Sequence, residues 1–219
     1  MAVAYDTATG GENSINHTAS GANRLAVLAL SWFGGVTVTG VTYGGNAMTL
    51  VGQLEHPDNS NLHMALAYYV APATSSQAVT PTYSGSAILS YLQVATFTGV
   101  DQGTPISGGA VTSNSGASQT NIAPSVDSVT ANDLMFGAGY GGGPPASIGA
   151  GTSRLLANDW GGNGLWNGLA TNAGTGTVSV DWTHGDNRAL ACAARIIAVS
   201  TGSSSIAAIS SGYHQRGMR

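Results

Sequence analysis

Apolar residues in this chain recur mostly at every second position. The runs RLAVLALSW from Arg24, VTVTGVTY from Val36, LHMALAYYV from Leu62, AVTPTY from Ala78 and AILSYLQVATF from Ala87 mix alternation with β-branched and aromatic residues, and Gly, Pro, Asn or Asp bounds them. A period of two sends successive side chains to opposite faces, so these segments are expected strands. The later part repeats the habit in DLMFGAGY from Asp133, SRLLAND from Ser153, LWNGLAT from Leu165, TVSVDWT from Thr177 and ALACAARIIAV from Ala189. The alanines of the last run also fit a helical period, but the turn-like THGDN ahead of it favours a buried strand.

Many short strands at intervals of about 8 to 12 residues, with few helix caps, point to an all-β protein: an antiparallel β-sandwich of jelly-roll-like character. A chain of 219 residues is long enough to bury roughly 70% of its unfolded surface as one domain. We expect that domain at 1–200 and a C-terminal extension at 201–219. Its two halves, about 20–106 and 125–200, echo each other. ANRLAVLALSW at 22–32 aligns with ANDLMFGAGYG at 131–141, and the stretch 79–97 aligns with 178–197. On this reading the segment from Gly103 to Thr130 crosses between the halves, and TSNSGASQT within it is a loop or an exposed edge strand.

Charge changes the picture more than hydrophobicity does. Hydrophobic residues make up 42% of the chain and charged residues only 7%, against a usual charged share of about 25%. The surface is therefore built from Ser, Thr, Asn, Gln, Gly and Ala. All six basic residues are arginine, and the net charge is -4. That offers no cationic footprint for phosphates, which argues against nucleic-acid binding. No apolar run approaches the length of a membrane-spanning helix. Cys192 stands alone and is expected as a small buried hydrophobe, with no disulfide framework within the chain. The N-terminal MAVAYDTATGGENS lacks the basic and apolar regions of a secretory signal.

Candidate chemistry is sparse. Asp101 ends an apolar run in TGVDQGTP, where an Asp side chain shapes a turn by accepting backbone N–H groups. EHPDNSNLH at 55–63 gathers Glu55, His56, Asp58, Asn59 and His63, a donor set for calcium or zinc, but it lacks the glycine and the closing bidentate acid of a calcium loop. A hairpin loop is the expectation there, with no metal and no cofactor. DWTHGDNR places His184 between Asp181 and Asp186 without a nucleophile elbow, so a hydrolytic triad is not expected. Tyr140, Trp160 and Trp166 lie in glycine-, asparagine- and aspartate-rich surroundings. They are candidate glycan-contact aromatics, with core burial as the competing reading. In the extension, Tyr213, His214, Arg216 and Arg219 are candidate inter-subunit contacts, since Tyr and Arg anchor interfaces.

The ordered strings GANRLAVLALSWFGGVTVTGVTYGGNAMTLVG, MALAYYVAPATSSQAVTPTYSGS and ATFTGVDQGTPI resemble an all-β domain of bacterial surface proteins and phage virion structural proteins, over about residues 20–106 and more weakly to 199. The resemblance implies a structural or adhesive sandwich and transfers no catalytic residue. Together with the missing signal, it sets the expectation of a non-enzymatic capsid decoration or cement protein on the outer surface of a virion. The expected partners are copies of itself, a trimer by preference, and the major capsid protein. The alternative is a carbohydrate-binding adhesin, or a tail-fibre receptor-binding module acting outside cells or at a cell surface, with surface glycans as partner.

Overall fold

A computed structural model describes residues 1–87, 89–113, 121–142, 152–160, 165–183 and 188–200, with the backbone alone for 142, 152–160, 165 and 166. Among these residues there is no helix, and the alternating runs fold as antiparallel strands. The first half holds β1 (Ala4–Glu12), β2 (Ile15–His17), β3 (Leu25–Phe33), β4 (Val38–Tyr43), β5 (Asn46–Ala47), β6 (Thr49–His56), β7 (Asn59–Val70), β8 (Gln77–Tyr83) and β9 (Leu89–Thr98). The second holds β10 (Ile106–Ser113), β11 (Asn121–Ile122), β12 (Ser125–Val129), β13 (Leu134–Gly142), β14 (Thr152–Trp160), β15 (Leu165–Asn172), β16 (Gly176–Ser179), β17 (Trp182–Thr183) and β18 (Ala189–Ile196).

Two five-stranded sheets, ordered β1-β9-β3-β7-β6 and β10-β18-β13-β15-β14, form the sandwich. Their facing sides share one core, in which Leu25, Val27 and Phe97 meet Phe136, Leu190 and Ile196. The outer face of the first sheet is covered in turn by the four-stranded sheet β2-β8-β4-β5, where Leu28, Leu30 and Trp32 pack on Val41, Tyr43 and Val79. On the opposite side the pairs β11-β17 and β12-β16 cover the second sheet, with Val126, Val178, Val180 and Trp182 against Met135 and the alanines of β18.

This stacking explains two features of the sequence. The run in β3 is apolar at nearly every position because the strand is buried on both faces, as strands enclosed between layers are. The alanine-rich β18 is a strand rather than a helix. Leu190, Cys192 and Ile196 point into the main core, while Ala189, Ala191 and Ala193 point outward beneath the small pairs. Each large side chain buried this way contributes about 1.5–3 kcal/mol.

The segment expected to cross between the halves instead folds as β10, β11 and β12. β10 pairs with β18 and forms an edge of the second sheet, although the glycines in ISGGAVTS blur its alternation. The chain passes from one sheet to the other at the corner 99–105. Residues 114–120, which include most of TSNSGASQT, and residues 184–187 fall outside the described residues.

Candidate functional site

Four segments converge at one end of the sandwich: residues 1–3, the corner 99–105, the turn 130–133 and the segment 197–200. Val3 donates to the Asn132 carbonyl at 2.8 Å, Asp101 N–H to Ile197 at 2.9 Å and Val199 N–H to Gly99 at 2.8 Å. The Met1 amino group lies 3.4 Å from the Val199 carbonyl. A cleft of about 370 Å³ opens among them, lined by Met1, Thr130, Asn132, Asp133, Arg195 and residues 197–200.

The charges at this end are committed to holding the backbone. Arg195 reaches Asp133 Oδ2 through Nε at 2.9 Å and through Nη2 at 2.7 Å. The same oxygen accepts from Thr130 N–H at 3.0 Å and from Thr130 Oγ1 at 2.7 Å. Oδ1 accepts from Ala198 N–H at 2.9 Å. Burial opposes ionisation of Asp133, but these donors outweigh it and hold the carboxyl below its usual value. A carboxylate so engaged is a poor general base. It fastens the 130–133 turn to β18 and to the segment that follows.

Asp101 is likewise a corner. Its Oδ1 accepts from Thr104 N–H at 2.8 Å and Gly103 N–H at 2.9 Å, and these bonds depress its pKa. Gly99 precedes it at a φ of 71°, and a Cβ there would stand 2.5 Å from the Ala2 carbonyl oxygen. Asp6 completes the set by accepting from Ser20 N–H at 2.7 Å.

Strand register puts the other end of the sandwich at the hairpin 56–59 and the far termini of β3 and β13. There the strands run up to a turn of only Pro57 and Asp58, so EHPDNSNLH is a tight hairpin rather than a long loop. His56 is buried, and its Nδ1 accepts from Asp58 N–H at 3.1 Å. His63 stacks on Trp32 with ring centroids 4.9 Å apart, and its ring nitrogen Nε2 lies 2.9 Å from the Ser60 carbonyl. The two histidines are thus occupied separately. Among the described residues no three His, Cys, Asp or Glu side chains come together as metal ligands would.

Of the three candidate glycan-contact aromatics, Tyr140 has no exposed surface and belongs to the main core. Its ring is therefore withdrawn from any sugar-stacking face, because position 140 shares the inward parity of Phe136 and Ala138. Trp160 and Trp166 occupy the neighbouring strands β14 and β15, with Trp166 opposite Asp159 and Gly141. Their side chains lie outside the described residues, as do His184, Asp186, Tyr213, His214, Arg216 and Arg219. Cys192 is fully buried, and burial pushes its thiol up to about 12, which leaves no thiolate for chemistry at neutral pH.

Two polar features had no signature in the sequence. His17, at the end of β2 on the edge of the four-stranded sheet, is buried, with Thr9 Oγ1 at 3.0 Å and Thr96 Oγ1 at 2.6 Å on its two ring nitrogens. Ser31 donates to Asn167 Oδ1 at 2.6 Å across the main core, joining the two large sheets by a buried side-chain bond. Their partners are distant in sequence, so no local spacing announced them. Comparison with protein families, with curated proteins and with solved structures finds no match for this chain.

Proposed function

We propose that the protein is a structural component of a bacteriophage particle, a decoration or cement protein on the outer shell. It works by packing rather than by chemistry, as a homo-oligomer against the major capsid protein, with trimers suiting local three-fold positions. One observation carries the reading: Met1 meets Val199 and shares a cleft with Ser200 at one end of the sandwich, where Asp6, Asp101 and Asp133 are all spent on fixing backbone. Residues 201–219, with Tyr213, His214, Arg216 and Arg219, continue from that end. A sandwich that brings Met1 and residues 199–200 together at one end is suited to attachment there, leaving the rest of its polar, weakly charged surface outward.

The test uses capsids of the phage that encodes the protein, prepared without it. Added protein should bind the shells at fixed stoichiometry and raise the temperature at which they release DNA. A chain lacking 201–219 should keep its own melting temperature and bind more weakly. A protein that sediments only as a monomer and leaves the shells unbound and unprotected would overturn the reading.

The adhesin reading draws on Trp160 and Trp166 in the neighbouring strands β14 and β15; Trp160 lies opposite Leu165 and Trp166 opposite Asp159, so the two positions alternate between the faces of the sheet and each would meet a sugar separately. A glycan array probed with the native protein and with Trp160→Ala distinguishes it. A sugar signal lost in the variant favours adhesion, and no signal in either favours the decoration role.

A further inference from the structure

The two large sheets are built alike. In each, the first strand of the half pairs with its last, the last with a central strand, and the central strand with a hairpin whose other arm forms the far edge: β1-β9-β3-β7-β6 and β10-β18-β13-β15-β14. The register agrees as well. Ala29 lies opposite Gln93 on one side and Leu66 on the other, and Leu66 lies opposite Gly52. In the second sheet Ala138 lies opposite Cys192 and Leu169, and Leu169 lies opposite Leu156.

Irregularities coincide too, and these are harder to obtain by chance than strand order. Val51 is the extra residue between Leu50 opposite Ala67 and Gly52 opposite Leu66. Leu155 is the extra residue between Arg154 opposite Ala170 and Leu156 opposite Leu169. The two bulges therefore sit at the same rung of equivalent hairpins. Each first strand also carries a bulge near its start, after Tyr5 in β1 and one pair further along, after Ser107, in β10. Bulges are specific features of a strand pair and bend it in a defined way.

The packing of the two sheets has the form of a two-fold arrangement. β1 lies against β14 and β10 lies against β6, so the first-strand edge of each half meets the hairpin edge of the other. At the corner the exchange is reciprocal: Val100 bridges Ala198, Asp101 N–H bonds to Ile197 and Val199 N–H bonds to Gly99. An isologous interface shows this same reciprocity, with patch i on patch j and j on i.

From these coincidences we infer that the chain is a duplicated half-domain, residues 4–98 and 106–196, closed face to face about a pseudo-two-fold axis, and that the inner face of a half is a docking surface for a second copy of that half. This reading is independent of where the protein works. The surface is the apolar side of β9, β3 and β7, carrying Val27, Leu66, Ala95 and Phe97. Its occupant within one chain is the equivalent face of the other half, and between chains it is the same half of another copy.

The test starts from the full chain with a protease site inserted between Gln102 and Gly103, in the exposed corner. Cut while folded, the protein should stay together as one particle. The cut chain is then unfolded in denaturant, refolded at high concentration and weighed by native mass spectrometry. The expected result is a mixed pair accompanied by a species of twice the mass of the first fragment. The uncut insertion chain, refolded in parallel, must recover. Given that recovery, a cut chain that yields only the mixed pair, or that does not refold, overturns the inference, because a self-complementary face needs no covalent link to find its partner.

Discussion

His17 owes its properties to the two hydroxyls that hold it and to the layer that covers it. Burial lowers its pKa, and the nearby charge of Asp6 offsets this only in part. The unfolded chain takes up a proton on this ring near pH 6.5, whereas the folded protein does so only at lower pH. Between the two values the unfolded state binds more protons, so stability is full above about pH 6.5 and declines as pH falls through that window. Thermal melts from pH 7.5 to pH 5 should show this decline in the native protein. His17→Gln should be less stable at neutral pH by about 1–3 kcal/mol for the lost hydrogen bonds, with a visibly flatter pH dependence. An unchanged slope in the variant would assign the decline to another group. The same site shows what a sequence reveals at this scale. Asp101 was legible because its partners are the next two to three residues, and an Asp before Gly-Thr-Pro has a local turn to make. His17 reaches across 79 residues to Thr96 and Asp133 across 62 to Arg195, and no spacing rule spans such distances.

Between elements, β13 and the segment leaving β16 approach closely on the outer side of the second sheet. A Cβ on Gly137 would stand 2.9 Å from Val180 Cβ and Cγ2, so the small pairs settle on that sheet only because position 137 carries no side chain. Gly137→Ala should cost about 1–3 kcal/mol in urea denaturation, the usual penalty of overpacking. Val180→Ala in the same chain should recover part of it, giving a coupling that the two single changes do not predict. Additive effects would mean that the two layers can move apart freely. Strands as elements were legible wherever alternation met β-branched or aromatic residues, and so was the choice of strand over helix at 189–196. β10 was obscured by its glycines: Gly109 stands where an apolar letter would mark the inward face, a consequence of close packing, since a Cβ there would lie 2.6 Å from Val51 Cγ1, while Gly108 has open space around it and takes a φ of 62° in the irregular stretch between Ser107 and Ala110. Tyr140 shows the converse difficulty. Its glycine-rich surroundings left sugar contact open beside core burial, yet β13 is a buried strand, and the bare Gly137 lets Val180 of the covering layer approach it.

For the whole molecule, the scarcity of charge decides what kind of association the surface can support. The outer face of the four-stranded sheet exposes Thr39, Thr80 and Thr82, and the hydroxyls of Thr39 and its neighbour Thr42 bond back to the carbonyls of Thr82 and Thr80. Of the few ionised groups, Asp133 and Arg195 neutralise each other, and Arg24 is turned onto the carbonyls of Pro72 and Gly21. Little net field remains to reach beyond the Debye length of about 8 Å at physiological salt. Under the proposed role, contacts between copies or with a shell would then rest on shape, apolar area and hydrogen bonds, which salt screens poorly. Self-association followed by sedimentation should accordingly change by less than about two-fold between 50 mM and 500 mM sodium chloride, given how weakly screening acts on uncharged contacts. Low concentrations of urea, which solvates peptide groups, should weaken it well before the fold melts. Association that weakened about ten-fold over the same salt range would place charged side chains at the contact. Arg216 and Arg219 would then be the first residues to replace, because Arg195 at the cleft is already paired with Asp133.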